Sequence, residues 1–91
     1  MGIQPQINVV SVTSTSATFT TLLGAALNVS TKRVTVRPHA GGIFMDDGTA
    51  SASSDPLGTS AVEMDGGPSE LGSLQFYAAG ATNMTVIQEG G

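Results

Sequence analysis

The chain has no cysteine, no tryptophan, and a single lysine, histidine and tyrosine among 91 residues. Without cysteine there is no disulfide framework, no CxxC redox pair and no Cys/His spacing that would hold zinc. Charge is scarce as well, at 11% of residues against about 25% in an average soluble domain. No apolar run approaches the roughly 20 residues a helix needs to cross a bilayer. The only cations, Lys32, Arg33 and Arg37, all precede the seven acids, and the net charge is −4. That balance argues against a nucleic-acid partner, which calls for a basic face to displace counterions from phosphate. The first ten residues, MGIQPQINVV, offer neither the basic start nor the apolar stretch of a secretory signal. Gln6 stands where a myristoylation motif wants Ser or Thr. The expectation is a soluble protein made in a cytoplasm, with no membrane partner.

What is abundant is small and polar: 10 Ser, 11 Thr and 12 Gly, a composition that suits extended chain and turns better than helix. Leu, Ile, Val and Phe together number 21, or 23%, just above the roughly 20% below which disorder becomes the default. The core is therefore thin, and a single domain of this size buries only about two-thirds of its unfolded surface. With no staple available, association between subunits is the remaining common way to stabilise it.

The stretch Arg33 to Gly48, RVTVRPHAGGIFMDDG, organises the rest. Val34 and Val36 face one way and Thr35 and Arg37 the other, the period-two pattern of a half-buried strand. Pro38 cannot donate a ladder hydrogen bond, so the strand ends there or lies at a sheet edge. Gly41-Gly42 reads as a tight reversal, with Ile43-Phe44-Met45 returning as the partner strand of a hairpin. Asp46-Asp47-Gly48 closes that strand, and 49–59 reads as loop.

Elsewhere, Ile7 to Thr13 is a β-branched strand with Ile7, Val9 and Ser11 on one face and Val10 and Val12 on the other. A short strand is expected around Phe19. Helix competes only at 21–27, where Leu23 and Leu27 share a face and Thr20 or Thr21 could cap, though Gly24 weakens it by about 1 kcal/mol relative to Ala. Further strands are expected at 61–64 (Val62 and Met64 inward), 74–78 (Leu74 and Phe76 inward) and 84–88 (Met84 and Val86 inward), the last returning antiparallel after the turn at 79–83. Asp65-Gly66-Gly67-Pro68 is a dense turn signal. The pattern predicts an all-β fold, a small antiparallel β-sandwich or barrel of about seven short strands with at most one short helical turn. Residues 1–6 read as an N-terminal arm, 7–89 as a single β domain and 90–91 as a disordered tail.

Little here carries chemistry. His39 is the one general-base candidate near neutral pH, but nothing selects a nucleophile among ten Ser, and it reads as a turn residue. Asp46-Asp47-Gly48 with Asp55 shares pieces of a calcium loop without its D-x-D-x-D-G spacing or late Glu, so it too reads as a turn. No catalytic, metal or cofactor site is expected. Arg33 and Arg37 either form local surface pairs or make bidentate contacts to a carboxylate of a neighbouring subunit. Phe44 and Tyr77 fall out of phase with their strands' inward faces and are candidates for a contact surface.

The run KRVTVRPHAGGIFMDDGTA, the Pro56-Leu57-Gly58 turn, the strands VEMDG and SLQFYAAG and a last β-strand, behind a Thr/Ser-rich strand and an LLGAAL turn, resemble the small virion-associated β proteins of tailed bacteriophages. The likeness is one of pattern across nearly the whole chain and brings no catalytic residue. It implies a structural role in the virion, as a capsid decoration or cement subunit or a small tail or tail-fibre component. It further implies a major capsid protein or other virion protein as partner, and self-association, with a trimer favoured. The N-terminal segment, including Ile3, Gln4 and Pro5, would then lie on the capsid lattice, with Arg33 and Arg37 on the docking strand. A host-receptor or glycan-binding module of a tail fibre is the alternative.

Overall fold

Val10, Val12, Val34, Val36, Met84 and Val86 recur at every second position along three strands, and all six turn into one interior. The computed structural model describes residues 5–90. In chain order its elements are β1 (Gln6–Val12), β2 (Ala17–Thr18), α1 (Phe19–Leu23), β3 (Thr31–Pro38), β4 (Ile43–Asp47), β5 (Asp55–Pro56), β6 (Val62–Asp65), α2 (Pro68–Leu71), β7 (Leu74–Ala78) and β8 (Thr82–Gly90). They make two four-stranded antiparallel sheets, ordered β1-β8-β3-β6 and β2-β7-β4-β5. This is the small all-β sandwich the alternation predicts. The inner faces meet in one core, where Phe19 and Phe76 stack with ring centroids 4.9 Å apart and planes tilted by 54°.

The expected hairpin between Val34 and Met45 does not form. Both flanks of β3 are already paired, with β8 on one side and β6 on the other, so β4 has no edge to join and enters the second sheet beside β7 and β5. Pro38 ends the β3 ladder because it has no N–H to give, and the next N–H, of His39, bonds Asn83 O at 3.0 Å. Gly42, at φ +106°, turns the chain across the sandwich, a conformation that favours glycine. The turn at 79–81 makes the same kind of crossing. β8 is antiparallel to β1 and β3 rather than to β7, although Met84 and Val86 face inward as their spacing predicts. Among the described residues only β4 and β5 are both consecutive in sequence and paired.

Helix appears twice where one turn at most was expected. α1 begins at Phe19, earlier than its leucine spacing suggests, because Thr18 Oγ1 accepts the Thr21 N–H. It closes at Gly24, whose N–H bonds Thr20 O, so Gly24 ends the helix rather than interrupting it and Leu27 is buried outside it. α2 forms inside the expected turn. Pro68 has its φ already set for a first helical turn, Glu70 Oε1 accepts the Gly67 N–H at 2.7 Å, and Leu71 is buried in the core. Gly67 is required by space: a Cβ there would stand 2.5 Å from Thr31 O. The boundaries shift slightly as well. Gln6, expected in the arm, opens β1, and Gly90, expected in a disordered tail, pairs with Thr31 at the end of β8.

Candidate interaction surface

The strand period puts Ile7, Val9 and Ser11 on the outer face of the first sheet, because Val10 and Val12 on the same strand are buried inside. Ile7 is 65% and Val9 60% exposed, which is unusual for β-branched side chains adjacent on one strand face. Cross-strand register sets Ile7 against Ile87 and Val9 against Thr85. On the next strand in, Thr35 pairs with Ile87 and Arg37 with Thr85. The result is an apolar flank of Ile7, Val9 and Ile87 running into a polar and basic strip on β3.

The two arginines behave differently. Arg33 Nε bonds Asp65 Oδ1 at 3.2 Å. The hydrogen bond to Asp65 and the nearby Glu63 carboxylate push the guanidinium pKa further above its ordinary value. The partners are 47% and 85% exposed, so water screens the pair and it contributes little to stability. Arg33 is thus the local surface pair. Arg37, exposed and four residues along the same face, has no carboxylate within ion-pair distance among the described residues. At about 3.3 Å per residue the two guanidinium-bearing positions are roughly 13 Å apart along the strand, and they do not converge on one site.

The remaining expected contact residues divide between faces. Pro5 is exposed just before β1, while Ile3 and Gln4 lie outside the described residues. Phe44 and Tyr77 come together as a cross-strand pair, rings 6.3 Å apart and tilted by 47°. They lie on the outer face of the second sheet, opposite the arginines, half-buried against each other, with Pro56 next to Phe44 on β5. The expected surface is therefore two surfaces. Ile7, Val9 and Ile87 were absent from the expected contact set, although their signal was in the sequence: β1 is apolar at both Ile7/Val9 and Val10/Val12, and only one of those faces can enter a two-layer core.

The chemistry-bearing groups are engaged locally. His39 Nε2 is 2.6 Å from Thr85 Oγ1 at the sheet corner. Asp46 Oδ2 accepts the Ser54 hydroxyl and Asp47 Oδ1 the Ser73 hydroxyl, tying the loops on either side of β4. Gln88, which sequence reasoning left unremarked, is buried with its Oε1 accepting both the Asn28 N–H at 2.8 Å and the Thr31 hydroxyl at 3.0 Å. A shallow depression of about 370 Å³ between Lys32, Arg33, Asp65 and Glu89 mixes both signs of charge at the end of the first sheet. Compared with known proteins, the chain matches no family model, no curated protein and no solved structure.

Proposed function

We propose that this chain is a non-enzymatic structural protein of a bacteriophage virion, a capsid decoration or cement subunit that docks the outer face of its first sheet on a repeated capsid surface. The observation that carries the reading is that solvent-exposed Ile7 and Val9 share one sheet face with exposed Arg37, which lies across β8 from Val9 and has no carboxylate within ion-pair distance among the described residues. An apolar patch sharing a face with a cation that no described carboxylate pairs is the make-up of a contact whose other half lies on another chain. The reading is in keeping with the phage-like pattern of the sequence, and exposed Pro5 immediately precedes β1. The partners on this reading are a major capsid protein and further copies of the chain, and the location is the virion.

The test is co-sedimentation with capsids lacking this subunit. Arg37→Ala is expected to weaken capsid binding several-fold while leaving the Tm of the free subunit nearly unchanged, and added salt is expected to release the wild type. Wild-type protein that ignores capsids and binds a saccharide would overturn the reading. One observation favours that second reading, a tail or tail-fibre glycan-binding module: Phe44 and Tyr77 form an aromatic pair beside Pro56 on the far face.

A further inference from the structure

Each sheet has two edge strands, and they are not guarded alike. In the second sheet, β2 and β5 are two residues long, and β5 contains Pro56. In the first sheet, β6 is four residues and carries exposed Glu63 and Asp65. Short length, proline and charge are the ways natural sheets keep an edge from recruiting another strand. β1 has none of them: it is seven residues, QINVVSV, without a charge or a proline. One of its long sides is hydrogen-bonded to β8, and among the described residues no strand covers the other.

We propose that the free edge of β1 pairs with the β1 edge of a second copy, antiparallel about a twofold axis, joining two four-stranded sheets into one continuous sheet of eight. The charge distribution selects this occupant. The protein is acidic, so an edge bearing carboxylates, such as β6, repels its own copy, and against β1 it would set Glu63 and Asp65 beside uncharged side chains that cannot pair them. β1 against β1 brings no like charges together, and a twofold contact closes on itself, so assembly stops at two.

Symmetry also fixes the register. A twofold axis normal to the sheet makes outward residues face outward residues, so it must pass beside one residue and that residue's own copy. Placing it at Asn8 sets Ile7 opposite Val9 of the second copy, and Val9 opposite that copy's Ile7. Four exposed β-branched side chains then cover one another, continuous with Ile87 on each side. Placing the axis at Val9 would oppose Ile7 with Ser11 and leave an isoleucine against a hydroxyl. The Asn8 register is the one that removes the most apolar surface from water. The joined sheet doubles the outer face, presenting two Arg37 side chains related by the same axis.

The test is the solution mass of the full chain by sedimentation equilibrium without any capsid, so its outcome is separate from that of the docking reading. An edge contact of this size falls below the ~1,200 Å² of standard interfaces, so a monomer–dimer equilibrium in the micromolar range is expected. Val9→Lys should raise the dissociation constant at least tenfold while preserving the circular dichroism spectrum and Tm, because Val9 contributes little to the core. Since the chain has no cysteine of its own, Asn8→Cys should cross-link under mild oxidation faster than Val9→Cys, the two Asn8 positions being opposite each other at roughly 5 Å between Cβ atoms. A mass that stays monomeric to millimolar concentration, a trimer, or a dimer indifferent to Val9→Lys would overturn the pairing. Faster cross-linking of Val9→Cys would overturn the register.

Discussion

The two sheets are built to different standards. The first has strands of seven, nine, eight and four residues, and its ladders satisfy most of its backbone. The second has strands of two, five, five and two. It is held less by ladder than by what reaches it from outside: the Phe19–Phe76 stack, Ser16 bridging to Gln75 and Ala50, and the Asp46 and Asp47 ties to neighbouring loops. The first, held by its long ladders, exposes apolar residues on its outer face, whereas the second spends its side chains on staying in place.

The largest effect should come from removing the packing on which the second sheet depends. Phe76→Ala deletes a fully buried ring, with an expected loss of about 3–5 kcal/mol that thermal unfolding would register as a fall in Tm on the order of 15–30 °C for a domain of this length. A loss below about 1 kcal/mol would show that the second sheet stands without the aromatic stack. Ser16→Ala comes next. It leaves the buried Ala50 N–H without its 2.8 Å acceptor, at a cost of about 1–3 kcal/mol, and amide exchange at Ala50 should accelerate while exchange in β3 and β8 does not. Equal acceleration in both sheets would erase the contrast.

Gly67→Ala probes the junction between the first sheet and α2. The added methyl meets Thr31 O, and the overpacking is expected to cost about 1–3 kcal/mol by chemical denaturation. A smaller effect is expected from acid at the same corner. The Ser69 hydroxyl and then the Gly67 N–H hold the Glu70 carboxyl below its ordinary 4.5. A carboxylate with a depressed folded pKa contributes fully above its unfolded pKa, and that contribution is lost as pH falls through the folded value. Wild type should therefore lose stability relative to Glu70→Gln as pH drops below about 4.5, a difference that Tm measured against pH would reveal and that parallel curves would refute. Smallest of all is Arg33→Ala. Its exposed pair with Asp65 should leave Tm within experimental scatter, in salt or without it, and a clear drop would mean that the first sheet relies on this ion pair.

Much of the fold was legible because alternation is a local signal. Val34/Val36, Val62/Met64 and Met84/Val86 announced their faces from period two alone, and the turn residues marked most boundaries. Pairing was not legible, because nothing in Ile43-Phe44-Met45 says that both flanks of β3 are already occupied by segments about 30 and 50 residues further along. The glycines at 41 and 42 suit a hairpin and a crossing equally well. α2 was hidden inside a turn signal because Pro68 serves either role, and only the buried Leu71 and the Glu70 contact decide between them. The candidate surface was half legible. Arg37 and the Phe44/Tyr77 phase could be read off, whereas the exposure of Ile7 and Val9 depends on which face of β1 the sandwich claims.

Among the described residues β1 finds its hydrogen-bonding partner only in β8, about 75 residues later, so β1 must wait for β8 to be made before it can be shielded. Contacts this distant are formed slowly, since a long loop has to close before any of them is rewarded. During that wait an uncharged, valine-rich segment stays open to its neighbours on the same message. Synthesis at high density therefore favours early meetings between nascent copies, and production at low temperature and low concentration should raise the soluble yield.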